Sequence, residues 1–162
     1  MRYGDTAVAG IGLVGVLFFS STAHAQQPFD ATHCFVGTGS QLFRSDDAVI
    51  GHFEHKGIYR SNHENKLLDG FAIQCMGIAV TVKQKRSMRG ACKILDPKGD
   101  MIGLEIEDTK LGTGTATVVG GTGAWKGVTG GGDWLVHTPS RPLADGAFQS
   151  CLRYHGTLTV PK

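Results

Sequence analysis

The stretch from Gly112 to Gly132 constrains this chain most, because nine of its 21 residues are glycine. Between them stand Thr115, Thr117, Val118, Val119 and Trp125, β-branched or aromatic side chains that suit a pleated, half-buried surface. Glycine weakens a flat strand, but it lets a sheet bend sharply and lets two backbones approach closely. The combination predicts a small, strongly curved antiparallel sheet that closes on itself.

The first residues predict export. A short charged start (Met1, Arg2, Asp5) leads into the apolar run Ala7–Phe19, and Ala23-His24-Ala25 has the small-x-small form of a signal-peptidase site. The run is shorter than the roughly 20 residues of a membrane span. Cleavage after Ala25 is expected, leaving 137 of the 162 residues as a mature protein with no membrane span. That length suits one domain with a single core. The net charge of +2 is unchanged by the loss of Arg2 and Asp5, and it is too weak and dispersed for a nucleic-acid partner. All four cysteines lie in the mature part, and an even count in an exported chain favours two disulfides. Cys75 and Cys92 flank the turn-like Lys83–Arg86 almost symmetrically, while Cys34 and Cys151 sit where first and last strands of a closed sheet would meet. The expected pairs are therefore 75–92 and 34–151. Their spacing does not match a zinc site, and no metal is expected.

Gln26 to His33, with Pro28, reads as an irregular lead-in before a single domain over residues 34–162. After it, short β-rich runs alternate with turn signals, as in an all-β barrel or sandwich. Strands are expected near 34–38, 48–59, 71–82, 87–95, 101–108, 113–119, 132–138 and 147–160. Asp96-Pro97-Lys98-Gly99-Asp100 is a turn, and 61–70 and 137–146 are longer loops placed to rim one end. Alternation turns Val49, Gly51, Phe53, His55, Gly57 and Tyr59 inward, and in 147–160 it puts Phe148, Ser150, Leu152, Tyr154, Gly156, Leu158 and Val160 on one face, opposite Cys151, Arg153 and His155. Glu105 and Glu107 fall opposite Ile102, Leu104 and Ile106, on the solvent face unless the faces are inverted. The 71–82 run is apolar on both faces, which points to a covered outer face or a homo-oligomer contact.

Gly90-Ala91-Cys92, then Asp96–Asp100, then Gly120-Gly121-Thr122-Gly123-Ala124-Trp125-Lys126-Gly127-Val128-Thr129-Gly130 follow one another in an order that resembles a known group. It is that of exported bacterial proteins with an allene oxide cyclase-like, dirigent-like β-barrel. The resemblance spans about Cys75 to Gly132 in motif and the rest in strand number. It implies an eight-stranded antiparallel barrel with a central, largely apolar cavity. Plant members cyclise an unsaturated fatty-acid epoxide or steer the coupling of phenolic radicals without a metal or organic cofactor, so the resemblance implies none here. Their acidic and aromatic catalytic positions find no counterpart that can be aligned on this chain, and none are carried over.

Other readings of the motifs fail on chemistry. Gly121, Gly123 and Gly127 loosely mimic a phosphate loop, but no helix follows to face a phosphate. Asp96 and Asp100 lack the further oxygen ligands of a calcium loop. His52, Glu54, His55, His63 and Glu64 cluster in sequence, yet His52 and His55 point to opposite faces of a strand. No nucleophile elbow or reactive thiol is present, which disfavours covalent catalysis.

His55 and Tyr59 share their inward face with Val49 and Phe53. A histidine among apolar groups inside a barrel must find a partner: it is either a satisfied core residue or a group that orients a ligand or moves a proton. The expected function is binding of a small apolar or aromatic molecule in the barrel, with Val49 and Phe53 as ligand-binding residues. The enzymatic alternative is a cofactor-free cyclase or isomerase in which His55 and Tyr59 handle protons. An interaction module with no ligand is the third reading.

Overall fold

The computed structural model describes residues 25–139, 142 and 144–160. The export signal expected over residues 1–25 lies, but for Ala25, outside them, as does part of the 137–146 loop. Eight antiparallel strands close in simple sequence order: β1 (Ala25–Arg44), β2 (Ala48–Ser61), β3 (Ala72–Val82), β4 (Lys85–Leu95), β5 (Met101–Lys110), β6 (Thr113–Gly121), β7 (Thr129–Pro139) and β8 (Ala147–Val160). β8 pairs back onto β1, which leaves no open edge along the shared length.

The lead-in is not irregular. Gln26–His33 belongs to β1 and pairs with β8 from Ala25↔Val160 onward. Pro28 fits because β1 joins β2 only from Ala31, so at Pro28 the strand has a single partner. On the unpaired side the Asn65 amide donates to the Pro28 carbonyl at 2.8 Å.

The two cysteine pairs form disulfides, and they face opposite ways. Cys75–Cys92 bridges β3 and β4 inside the barrel, where its residues are 0% and 5% exposed. Cys34–Cys151 joins β1 to β8 across the seam on the outer face. Inward alternation continues around the barrel, burying Ile73, Ile94, Ile102, Leu104, Ile106, Ala116, Leu152 and Leu158. Glu105 and Glu107 lie outside with Arg89, 3.9 and 3.5 Å from its guanidinium.

The glycine-rich region works through close approach. A β-carbon on Gly156 would come within 2.2 Å of the Gly131 carbonyl oxygen, so only glycine lets β7 and β8 meet so tightly. Beyond β6, the 120–128 loop docks on the Asp96–Asp100 turn. The Ala124 amide donates to Asp100 Oδ2 at 2.9 Å and the Trp125 indole donates to Asp96 Oδ2 at 3.1 Å. Asp96 Oδ1 accepts from the Lys98 and Asp100 amides, so these carboxylates serve as a latch between two loops.

An up-and-down barrel sends alternate connections to alternate ends. Turns 45–47, 83–84 and 111–112 and residues 144–146 leading into β8 stand at one end, and loops 62–71, 96–100 and 122–128 stand at the other. The expectation that 61–70 and 137–146 rim the same end is therefore corrected by the topology. The 62–71 loop helps to plug its end with buried Leu68, beside Trp125 and Val128. Phe71 meets the Trp125 ring edge-on at 5.6 Å.

Candidate functional site

With one end plugged, the barrel interior opens at the other as a cavity of about 510 Å³. Its walls come from inward positions of seven strands. Phe35, Phe53, His55, Trp134, Phe148 and Leu152 form one side, and Met88, Ile106, Arg86 and Asp108 form the other. A closed eight-stranded barrel is just wide enough to be filled by side chains or to hold one small ligand. Here the lower half is filled, leaving a void of only about 20 Å³ among Phe29, Leu68, Ile102 and Leu158. The upper half is not.

His55 is held in a box of rings. Phe35 lies 4.2 Å from it between centroids, Phe53 stacks at 5.9 Å and 11°, and Phe148 meets it edge-on at 6.4 Å. The residue is 6% exposed, and its Nδ1 is buried without a hydrogen-bond partner. Burial holds its pKa down at about 4, so the imidazole is neutral at physiological pH.

Beneath His55 lies His33, whose ring centroid is 5.3 Å away. His33 is 0% exposed, and neither ring nitrogen has a partner. Burial, and then the nearness of His55, lowers its pKa to about 3. The ring lies against Gly57, where a β-carbon would come within 2.8 Å of Nε2. Tyr59 follows at 5.1 Å from His33, and its hydroxyl is hydrogen-bonded to Tyr154. Burial raises the pKa of both phenols, so both are neutral donors or acceptors.

Asp108 is the carboxylate inside the barrel. Its side chain is 4% exposed and sits 3.4 Å from the Arg86 guanidinium. Burial raises its pKa and Arg86 opposes the rise.

The structure brings some expected residues together and separates others. Phe53 and His55 line the cavity. Tyr59 is buried on the same face but below the cavity, its hydroxyl engaged by Tyr154. Val49 stands at the rim, lining an outer depression with Asp46, Asp47 and Lys83 instead of the cavity. His33, Arg86 and Asp108 were missed, although the signal was present. Alternation from Ile102, Leu104 and Ile106 reaches Asp108 next, and that from Cys92, Gly90 and Met88 reaches Arg86. His33 was hidden because the strand is expected to start only at residue 34, whereas β1 begins at Ala25. Among the described residues no group of three His, Cys, Asp or Glu side chains is placed to hold a metal ion.

The fold has solved counterparts. The pterocarpan synthase dirigent protein GePTS1 superposes with a TM-score of 0.52 at 12% identity, covering 98% of this chain and 100% of its own. The pterocarpan synthase dirigent protein PsPTS1 gives 0.53 at 11% identity, covering 89% and 99%. No protein-family model matches the chain, and no curated protein matches its sequence. The barrel is thus of the dirigent type in fold.

Proposed function

We propose that this chain is an exported β-barrel that holds one small, flat apolar or aromatic molecule in its open-ended cavity. The observation that carries the reading is the cavity itself: about 510 Å³, walled by Phe35, Phe53, Trp134 and Phe148, with a neutral imidazole on its side. Volumes of this order, mostly apolar with a few convergent polar groups, are what small-molecule sites look like. The two similar structures are named as synthases of a pterocarpan, which is in keeping with a barrel that handles a small molecule. Export, a bacterial setting and kinship with allene oxide cyclase barrels are part of the same reading. Two disulfides and, among the described residues, no helix long and apolar enough to cross a membrane are compatible with it.

Native mass spectrometry of the mature protein, purified from the cells or medium that produce it, is the test. A co-purifying aromatic or lipid molecule supports the reading, provided Phe53→Asp, which sets a charge on the apolar wall, removes it from the folded protein. Retention of the same molecule by folded Phe53→Asp would place it elsewhere and end the proposal.

One further observation favours chemistry over simple binding. His55 on one wall and the Asp108–Arg86 pair on the other give the cavity a neutral base and a carboxylate of raised pKa. Cofactor-free cyclisation or isomerisation needs such groups to move a proton while apolar walls fold the substrate. In this reading His55 exchanges the proton, and Tyr59 supports the floor beneath it. Turnover that survives His55→Ala would remove the reading. Self-association has its own surface on the outer face of β3, where Met76, Ile78 and Val82 are 57%, 51% and 46% exposed.

A further inference from the structure

The barrel carries two disulfides of opposite accessibility. Cys75–Cys92 is sealed inside, whereas Cys34 is exposed and Cys151 half-buried. Both lie on the wall of an outer groove of about 590 Å³ shared with Lys56 and Arg60. Lys56 also touches Glu54 at 3.2 Å, so Arg60 and the shared Lys56 give the groove its positive charge. Exposed disulfides are the ones open to thiol exchange, and nearby cations favour thiolates. The bond also sits at a particular height on the seam. Its chain neighbours Phe35, Ser150 and Leu152 line the cavity on the inner face. Below it, Arg153 grips both carboxylate oxygens of Asp30, at 3.0 and 2.5 Å, and Asn62 donates to the same Asp30 at 3.0 Å. Above it, the β1–β8 register runs only from Phe35↔Ser150 to Thr38↔Ala147. There β7 gives β8 irregular support, because its register shifts between Val136 and Thr138.

We propose that Cys34–Cys151 is a thiol-exchange site that loosens the cavity mouth when reduced, and that its reductant is a small thiol carrying carboxylates. The reductant's thiolate attacks the sulfur of Cys34, the more exposed of the two residues, and the protein S–S bond breaks. Its electron pair leaves on Cys151, which takes a proton from water. A second thiolate then attacks the reductant's sulfur in the mixed disulfide and releases Cys34. The protein gains two electrons, and two reductant thiols become one disulfide. The lower seam keeps its ladder and the Asp30 clamp, so the barrel stays folded while the upper seam slackens.

The test treats the folded, oxidised mature protein with reduced glutathione at neutral pH, then alkylates and maps the thiols. Labelling at Cys34 and Cys151 with none at Cys75 or Cys92 is expected. Hydrogen exchange of the same sample is expected to quicken by roughly tenfold over 35–38 and 147–150, and not over 26–32 or 153–159. Lys56→Gln with Arg60→Gln is expected to slow reduction by glutathione several-fold more than reduction by 2-mercaptoethanol, whose thiolate carries no carboxylates. Labelling of neither pair, of both pairs at one rate, or of Cys34 and Cys151 without faster exchange would each overturn the proposal. The double variant Cys34→Ser, Cys151→Ser is expected to show the reduced exchange pattern with no thiol added. If that variant does not fold, the bond holds the whole barrel and the proposal is equally lost. None of these readouts depends on a ligand.

Discussion

Acidification should unfold this barrel through two particular side chains. His33 and His55 have an ordinary pKa of 6.5, lowered in the fold to about 3 and about 4, chiefly by burial. For a group whose folded pKa is depressed in this direction, the unfolded chain takes the proton first. The stabilisation is therefore intact above about pH 6.5 and is lost as pH falls from there toward 3–4. At about pH 5 the folded protein still holds both rings neutral while the unfolded chain has protonated both. Each then costs about 1.5 pH units at 1.36 kcal/mol, or roughly 2 kcal/mol, and the pair costs roughly 4 kcal/mol. With exposures of 0% and 6%, neither ring is screened by solvent. Urea unfolding at about pH 7.5 and about pH 5 should show the midpoint falling by about 2 M. His33→Leu isolates the cause. It removes one protonation site and two orphaned buried nitrogens, each of which costs about 1–3 kcal/mol when unsatisfied. The variant should be at least as stable at neutral pH and should keep only about half of the acid loss. A wild-type loss below about 1 kcal/mol, or an undiminished loss in His33→Leu, would refute the reasoning.

Three further perturbations follow from the same contacts. Replacing Cys75 and Cys92 by alanine opens a cross-link of sequence separation 17 and should lower stability by about 3 kcal/mol, read as a fall in melting temperature. Gly123→Ala should cost about 1–3 kcal/mol, because φ is +50° and the new β-carbon would lie 1.9 Å from Asp100 Oδ1; an unchanged melting temperature would mean the latch is dispensable. Arg86→Met removes the counter-charge that opposes burial at Asp108, so NMR titration should find that carboxyl protonating at still higher pH than in the wild type.

How far the chain could be read in advance depended on whether a position follows a local rule or a long-range one. Strand periodicity is local, and it set the faces of β2, β5 and β8 correctly: Phe53, Ile106 and Leu152 are inside and Glu105 is outside. Closure is long-range, but it left a trace in the cysteines, since Cys34 lies opposite Cys151 only if first and last strands meet. Periodicity says which way a side chain points and not how high it stands in the barrel. Val49 and Tyr59 share the inward parity of His55, yet one stands at the rim and the other below the cavity floor. Height is set by where the partners of a strand begin and stop, and that is also why β1 was misread. Pro28 is acceptable only where β2 has not yet joined, a fact held in the register between residues about thirty apart, such as Ala31 and Ser61. The same error concealed His33, and with it the acid sensitivity. The two most informative polar groups of the interior thus differ in kind: Asp108 was one more step along an alternation already in hand, whereas His33 required knowing that β1 and β8 close the barrel over fourteen paired positions.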